Sequence, residues 1–228
     1  LKTMRPYFDN GLIKIFHGSC LDIMTNLPSS DLILTDPPYG INLPYASYID
    51  TQENWESLML SFMPLALSKS SMMILPCCSI ARMKWWYDHF PPDWIIAWYK
   101  GSPGHHSFVG FNDWEPHLVY GKTDGLTMHD FFQVRPEPVK NGGGHPCPKP
   151  VGWADWLISR ILTGSKTVID PFMGSGTTLV ACKRRGKAAI GIDMDEGYCE
   201  IAAKRLDMED FQGELFKKDT QLGIEWNS

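Results

Sequence analysis

The chain has 228 residues, 43% of them hydrophobic and 21% charged, with a formal net charge of −5. That size suits one α/β domain with a sizeable core, and no apolar run approaches the ~18 residues of a membrane span. No apolar segment follows Lys2 and Arg5, so a secretory signal is not expected, and the acidic balance argues against a protein that coats nucleic acid by charge alone.

Ile13, Ile15 and Phe16 predict a strand broken at Gly18, and residues 19–24 a short helix with Leu21, Met24 and Leu27 on one face. Leu32, Ile33 and Leu34 then form an unbroken apolar run, as in a strand buried on both faces. Such strand–helix–strand units are nearly always parallel and right-handed. The run stops at Asp36, where Pro37 and Pro38 lack the donors needed to continue a ladder. An acid, a rigid elbow, the Tyr39 ring and Gly40 are thus held at the carboxyl end of a strand, where open α/β sheets bind ligands. Asp36 and the Pro37 carbonyl can converge as acceptors on one amino group, and Pro38 stiffens the turn. The Tyr39 ring offers a face to a planar base, worth about 1–3 kcal/mol if one stacks there.

Residues 41–53 are polar and loop-like and carry Tyr45 and Tyr48. A helix is predicted from Asn54, as N-cap, to about Ser68, with Pro64 kinking or ending it early. Strands are predicted at 72–75 and 94–99 with a helix at 80–90 between them, and a shorter strand at 115–120, antiparallel at the far edge of the sheet. Residues 100–149 read as a loop-rich insertion within a single domain spanning 1–228, with Gly142, Gly143 and Gly144 as a candidate hinge. His105 and His106 diverge as neighbours and have no acid or Cys at ligand spacing, so no metal is expected. Cys20, Cys77, Cys78, Cys147, Cys182 and Cys199 match no zinc pattern and read as reduced thiols of a cytoplasmic protein.

An amphipathic helix is predicted at 153–162, with Trp153, Trp156, Leu157, Ile161 and Leu162 facing inward. A buried strand, a glycine turn and a helix follow at 166–185, then a strand ending at Asp193, a helix at 196–206 and a mobile polar tail. Gly174-Ser175-Gly176 is not a phosphate loop, since no lysine follows the second glycine. Nor does it suit a pyrophosphate, because Leu179 stands where a dinucleotide turn has its third glycine. What remains is a turn that lets a ligand touch backbone while Asp193 chelates two ribose hydroxyls. A nucleoside without a pyrophosphate fits best, and S-adenosylmethionine is such a ligand.

Thr35-Asp36-Pro37-Pro38-Tyr39-Gly40 resembles the catalytic motif of DNA amino-methyltransferases, which methylate the exocyclic amine of adenine or cytosine. The run from Asp170 to Thr177 is similar to their S-adenosylmethionine turn, and Gly191-Ile192-Asp193 resembles their ribose-binding strand end. His145-Pro146 and Lys149-Pro150 resemble the segment before the cofactor strand. The order, catalytic block first and cofactor block second, resembles the circularly permuted beta class over about residues 12–100 and 145–206. That resemblance implies a Rossmann-like methyltransferase fold, with a mostly parallel seven-stranded sheet, helices on both faces and strand 167–170 beside strand 31–35. It implies catalytic roles for Asp36, Pro37, Pro38 and Tyr39. Cofactor contacts are implied at Asp36, His145, Lys149, Asp170, Phe172, Gly174, Ser175, Gly176, Thr177 and Asp193. The family carries an acid where this chain has Gly18-Ser19-Cys20, so Ser19 or Asp22 is expected to hold the adenine edge of the cofactor.

Aspartate rather than serine at position 36 leans, within that family, toward adenine N6 over cytosine N4. The implied partner is double-stranded DNA with the target base flipped out, with no membrane and no metal. Residues 98–149 balance five basic side chains (Lys100, Lys122, Arg135, Lys140, Lys149) with five acids, so a homodimer, a partner subunit or upstream residues are candidate sources of further DNA contacts. Lys183, Arg184, Arg185 and Lys187 read as a solvated helix end that complements the dipole. A catalytically inactive cofactor-binding module and a methyltransferase acting on RNA or protein amines are the alternative readings.

Overall fold

Successive side chains of residues 30–34 point to opposite faces of a sheet, and both faces are covered. Leu32 and Leu34 pack into one apolar cluster with Ile13, Ile15, Ile74 and Val168, while Ile33 packs into the other with Met73, Leu75 and Ile169. A strand apolar on both sides needs helices on both sides, which gives a three-layer α/β architecture. The computed structural model describes residues 4–77, 80–101, 106–107, 110–122, 129–135, 149–164 and 166–221, with 210–221 described by backbone alone.

The strands are β1 (Phe8–Asp9), β2 (Ile13–His17), β3 (Ser30–Leu34), β4 (Ser70–Pro76), β5 (Trp94–Tyr99), β6 (His106–Ser107), β7 (Gly110–Phe111), β8 (Trp114–Gly121), β9 (Phe131–Gln133), β10 (Thr167–Asp170) and β11 (Ala188–Asp193). The helices are α1 (Cys20–Asn26), α2 (Gln52–Lys69), α3 (Met83–His89), α4 (Val151–Ile161), α5 (Thr177–Arg184) and α6 (Glu196–Gln221). Nine strands form the main sheet in the order β1-β2-β11-β10-β3-β4-β8-β5-β9, and β6 with β7 makes a separate hairpin. The seven strands from β2 to β5 are the expected body, to which the short β1 and β9 add an edge each. Within that body β2, β11, β10, β3 and β4 run parallel, and β8 alone is reversed between β4 and β5. Helices α1, α2 and α3 cover the Ile33 face, and α4, α5 and α6 cover the other.

The expected adjacency of segments 31–35 and 167–170 holds, with Leu32 opposite Val168 and Ile33 opposite Ile169. Four local expectations are corrected. Thr51, not Asn54, caps α2, its side chain accepting from the Asn54 amide. Pro64 neither stops nor shortens that helix: it lies on the exposed face, where the Leu60 carbonyl that lost its donor can turn to water. Strand β8 is interior rather than an edge, because five consecutive buried residues, Pro116 to Tyr120, need a neighbour on each side. The backbone of α6 runs to Gln221 where a mobile tail was expected, and only 222–228 of that tail lie outside the described residues.

Candidate functional site

The ends of β3 and β10 are fastened together before either meets a ligand. Thr35 Oγ1 donates to Asp170 Oδ1 at 2.7 Å, and the Phe172 amide donates to both oxygens at 3.2 Å. Asp170 is 3% exposed, and burial pushes its carboxyl up to about 7. Expected at the cofactor, Asp170 instead turns inward and ties the two strands. Its neighbours Pro171 and Phe172 line the crevice that opens beyond.

That crevice opens between the ends of β3, β10 and β11. Asp36 and Pro38 form one wall, Gly174 and Asp193 another, with Ser19 and Cys20 beside them at the start of α1. Asp193 accepts the Gly174 amide on Oδ2 and the Asp195 amide on Oδ1, both at 2.9 Å. Each oxygen keeps acceptor capacity for a further donor, so two hydroxyls of one ligand can be held together. Burial pushes the Asp193 carboxyl up to about 6. Of the two residues expected to replace the family's acid, Ser19 lines the crevice, whereas Asp22 is exposed on α1 and does not. Burial also pushes the Cys20 thiol up to about 12, so it faces the crevice protonated.

The rest of the glycine turn holds the scaffold rather than lining the crevice. Arg205 of α6 donates to the Ser175 carbonyl at 2.7 Å and to its hydroxyl at 2.9 Å, and Thr177 Oγ1 donates to the Lys149 carbonyl at 3.1 Å. Gly176, at φ +81°, opens α5 so close to α6 that a Cβ would lie 2.8 Å from Ala202 Cβ. Leu179, in the place of a third glycine, rests on a glycine of the neighbouring strand: a Cβ on Gly191 would meet Leu179 Cδ1 at 2.6 Å and Met173 Sδ at 2.5 Å.

Residues 40–50 form a strap over the crevice. Asp50, 2% exposed, draws in the amides of Gly40, Ile41 and Leu43 at 2.6, 3.1 and 3.1 Å. Arg82 donates to the Gly40 carbonyl at 2.7 Å and sits 4.4 Å from the Trp55 ring centroid. From the strap, Ser47 reaches across to Asp195 at 2.8 Å. Tyr45 and Tyr48 of the strap line the crevice, and the buried Tyr48 hydroxyl has no hydrogen-bond partner among the described residues. Burial, together with Asp50, pushes that hydroxyl up to about 12, so it is a donor at neutral pH.

At the end of the crevice that follows β3, Tyr39 Oη donates to Asp36 Oδ1 at 2.7 Å, and Pro37 is buried. Lys149 Nζ lies 3.4 Å from Asp36 Oδ2 and 3.1 Å from Glu115 Oε1, and donates to Tyr39 Oη at 2.5 Å. Lys149, expected among the cofactor contacts, thus sits beside Asp36 and Glu115. Burial pushes Asp36 up from the usual carboxylate range, and Lys149 opposes that rise. Glu115 feels burial too, but the ammonium groups of Lys149 and Lys100 hold it low. His117 is fully buried, which pushes it down to about 4. It accepts from Trp153 Nε1 at 2.6 Å on Nε2, and its neutral ring donates from Nδ1 to the Glu115 carbonyl at 3.2 Å.

His145 and the glycines 142–144 lie outside the described residues. Glu115, Asp50 and Arg82 were not singled out in the sequence; Glu115 had counted only as one of five acids offsetting nearby bases. The basic cluster at the end of α5 is engaged within the chain. Arg184 pairs with Glu209 and Arg185 with Asp155 in two-bond forks, Lys183 donates to the Leu206 carbonyl, and Lys187 to that of Gly164. Among the described residues, Cys20, Cys77, Cys182 and Cys199 are buried free thiols, no group of three His, Cys, Asp or Glu could hold a metal ion, and no helix is long and apolar enough to cross a membrane.

A family model of N6/N4 methyltransferases, described as DNA methylase, matches residues 86–204. The type II methyltransferase M.ScaI of Streptomyces caespitosus is 24% identical over 259 aligned residues, spanning 90% of this chain and 84% of its own length. The crystal structure of the M1.HpyAVI–SAM complex superposes with a TM-score of 0.65 at 24% identity, covering 85% of this chain and 98% of that one. The PvuII DNA methyltransferase, cytosine-N4-specific, gives 0.70 at 16% identity, covering 90% and 89%. Both structural likenesses are likenesses of fold.

Proposed function

The chain belongs to the DNA methylase family, whose members take the methyl group from S-adenosylmethionine, and on that premise we propose that it methylates N6 of adenine at a specific site in duplex DNA. The observation that carries this reading is that Asp36, Gly174 and Asp193, from the ends of three adjacent strands, line one crevice. Its fit to a nucleoside cofactor rests on the acceptor capacity left on Asp193 and on the backbone approach at Gly174. When bound, the cofactor supplies a methyl carbon already activated by its sulfonium.

The chain's own residues then have three tasks. Asp193 would hold the ribose hydroxyls, with Ser19 beside the adenine edge and Phe172 and Tyr198 as apolar walls. Asp36 and the Pro37 carbonyl accept from the target amine and stabilise the positive charge that develops on its nitrogen. Tyr39 takes the flipped base on its face, offsetting part of the few kcal/mol that unstacking costs. Alignment of amine and methyl in such a crevice can supply about 7–11 kcal/mol at best. Aspartate at position 36, rather than a hydroxyl residue, supports adenine as the target. We assign the reading of DNA sequence to residues 100–149, since the basic side chains of α5 are committed within the chain.

The test is to incubate the protein with methyl-labelled S-adenosylmethionine and unmethylated DNA, then digest the DNA to nucleosides. Labelled N6-methyladenine is expected. Labelled N4-methylcytosine would overturn the choice of base, label confined to RNA or protein the choice of substrate, and no transfer at all the enzymatic reading.

A further inference from the structure

One lysine stands between two half-buried carboxylates, Asp36 and Glu115. Asp36 follows β3 and Glu115 lies on β8, two strands that β4 separates. Lys149, from the segment just before α4, bridges them at 3.4 and 3.1 Å. Its side chain is only 7% exposed, those of Glu115 and Asp36 13% and 20%. A lysine this deep needs charged partners to remain an ammonium.

We propose that Lys149, seated on Glu115, is the positioning residue of methyl transfer, holding Asp36 as a carboxylate and Tyr39 in the orientation that receives the base. The inference rests on the reading that Asp36 accepts the target amine. If Lys149 faced Asp36 alone, its ammonium would neutralise the acid and compete with the amine for Oδ2. Glu115 prevents this by taking the closer contact, so Asp36 keeps its charge while Oδ2 stays loosely held. Because Lys149 makes its closer contact with Glu115, Asp36 keeps negative charge available where the amine nitrogen becomes positive. Tyr39 links the parts, since its hydroxyl accepts from Lys149 and donates to Asp36.

The ionisable surroundings of the pair come from several elements. Lys100, after β5, lies 3.8 Å from Glu115 Oε2 and helps to hold that acid in place. His117 on β8 also faces Glu115, and Asp170 on β10 lies behind Asp36. Removing Lys149 therefore strips Asp36 of its nearest opposite charge and leaves Glu115 and Asp170 as acidic neighbours.

Titration of carbon-13-labelled aspartate carboxyls, with Asp36 assigned by loss of its signal in Asp36→Asn, tests this without DNA or turnover. In Lys149→Met the Asp36 midpoint should move up by about one pH unit or more, and Lys149→Arg should bring it back toward the wild type. Glu115→Gln should move it the other way, because the ammonium then falls wholly to Asp36, and kcat should still drop. The acid limb of kcat should follow the titrations, shifting up in Lys149→Met and recovering in Lys149→Arg. An unmoved Asp36 midpoint in Lys149→Met, or shifts of the same sign in Lys149→Met and Glu115→Gln, would overturn the proposal. Wild-type protein that titrates as expected yet methylates no DNA would instead sink the functional reading.

Discussion

Thr35 Oγ1 and Asp170 Oδ1 share a buried 2.7 Å hydrogen bond, although 135 residues separate them along the chain. The bond sits where the paired strands β3 and β10 end, so it fixes the spacing between Asp36, which follows one, and the glycine turn that follows the other. Thr35→Val keeps the shape and removes the donor. It should cost about 1–3 kcal/mol in urea unfolding, the usual penalty for leaving a buried acceptor short of a partner. Cofactor affinity and methylation rate should fall together. A fall in rate alone, with stability and affinity unchanged, would show that Thr35 acts on the chemistry rather than the seam.

Asp170 also sets a pH dependence. Burial pushes its carboxyl up to about 7 in the folded chain, whereas an unfolded chain gives about 4. Between those limits the folded chain keeps a proton that the unfolded chain has released, so Asp170 contributes stability at low pH that is lost as pH rises through the window. Asp193, pushed up to about 6, contributes with the same sign over a narrower range. Asp170→Asn retains an acceptor for Thr35 and removes the titration. Measured by chemical unfolding from pH 4.5 to 8 (~), the variant should gain on the wild type steadily as pH rises to ~7 and then hold level. A constant difference across that range would exclude the linkage.

The two ends of the crevice should separate in function. Asp36→Ala should cut kcat by at least ~10²-fold, the scale on which a single electrostatic partner of the transition state acts. Cofactor affinity, measured by calorimetry, should stay near that of the wild type. Asp193→Asn should do the reverse, weakening cofactor binding about 10–100-fold through loss of charge-assisted bonds while saturating cofactor restores much of the rate. Equal losses of affinity and rate in Asp36→Ala would remove the role given to it.

Tyr48 offers a cleaner separation of stability from binding. Its hydroxyl is buried against the crevice with no partner among the described residues, which costs the folded state the hydration it would have in water. Tyr48→Phe should leave the melting temperature unchanged or slightly raised. The same variant should weaken binding of a crevice ligand, cofactor or base, by about 2–10-fold, the worth of one hydrogen bond. A lowered melting temperature with unaltered binding would mean that the hydroxyl serves the fold.

The parts of this molecule that were legible in its sequence are those built from neighbours along the chain. An apolar run that meets two prolines places Asp36 at a strand end, and a glycine turn with an acid at the next strand end places Asp193. Glu115 could not be found this way, because its role follows from β8 being inserted between β4 and β5, a matter of topology rather than spacing. Asp170 resembled a cofactor contact by position alone, and only the hydroxyl of Thr35 opposite shows why it turns inward. Leu179 stands where a dinucleotide turn has its third glycine, and the reason a leucine fits there lies on another strand, in the absent side chain of Gly191. Asp50 gave no signal, since a lone acid before a helix does not announce that three amides will fold onto it.

The pairing of β3 with β10 also has a consequence in time. On a growing chain β3 can find β4 soon after both emerge, but its other edge has no partner until residues 167–170 have been made. At ~5–20 residues per second, that leaves the edge of Leu32-Ile33-Leu34 open for on the order of ten seconds. An apolar strand edge left open is a template for another chain, so this central seam is where nascent copies are most exposed to one another. A chain ending before residue 167 would lack more than the glycine turn: it would carry an unpaired strand through the middle of its sheet, and its fate would be association rather than folding.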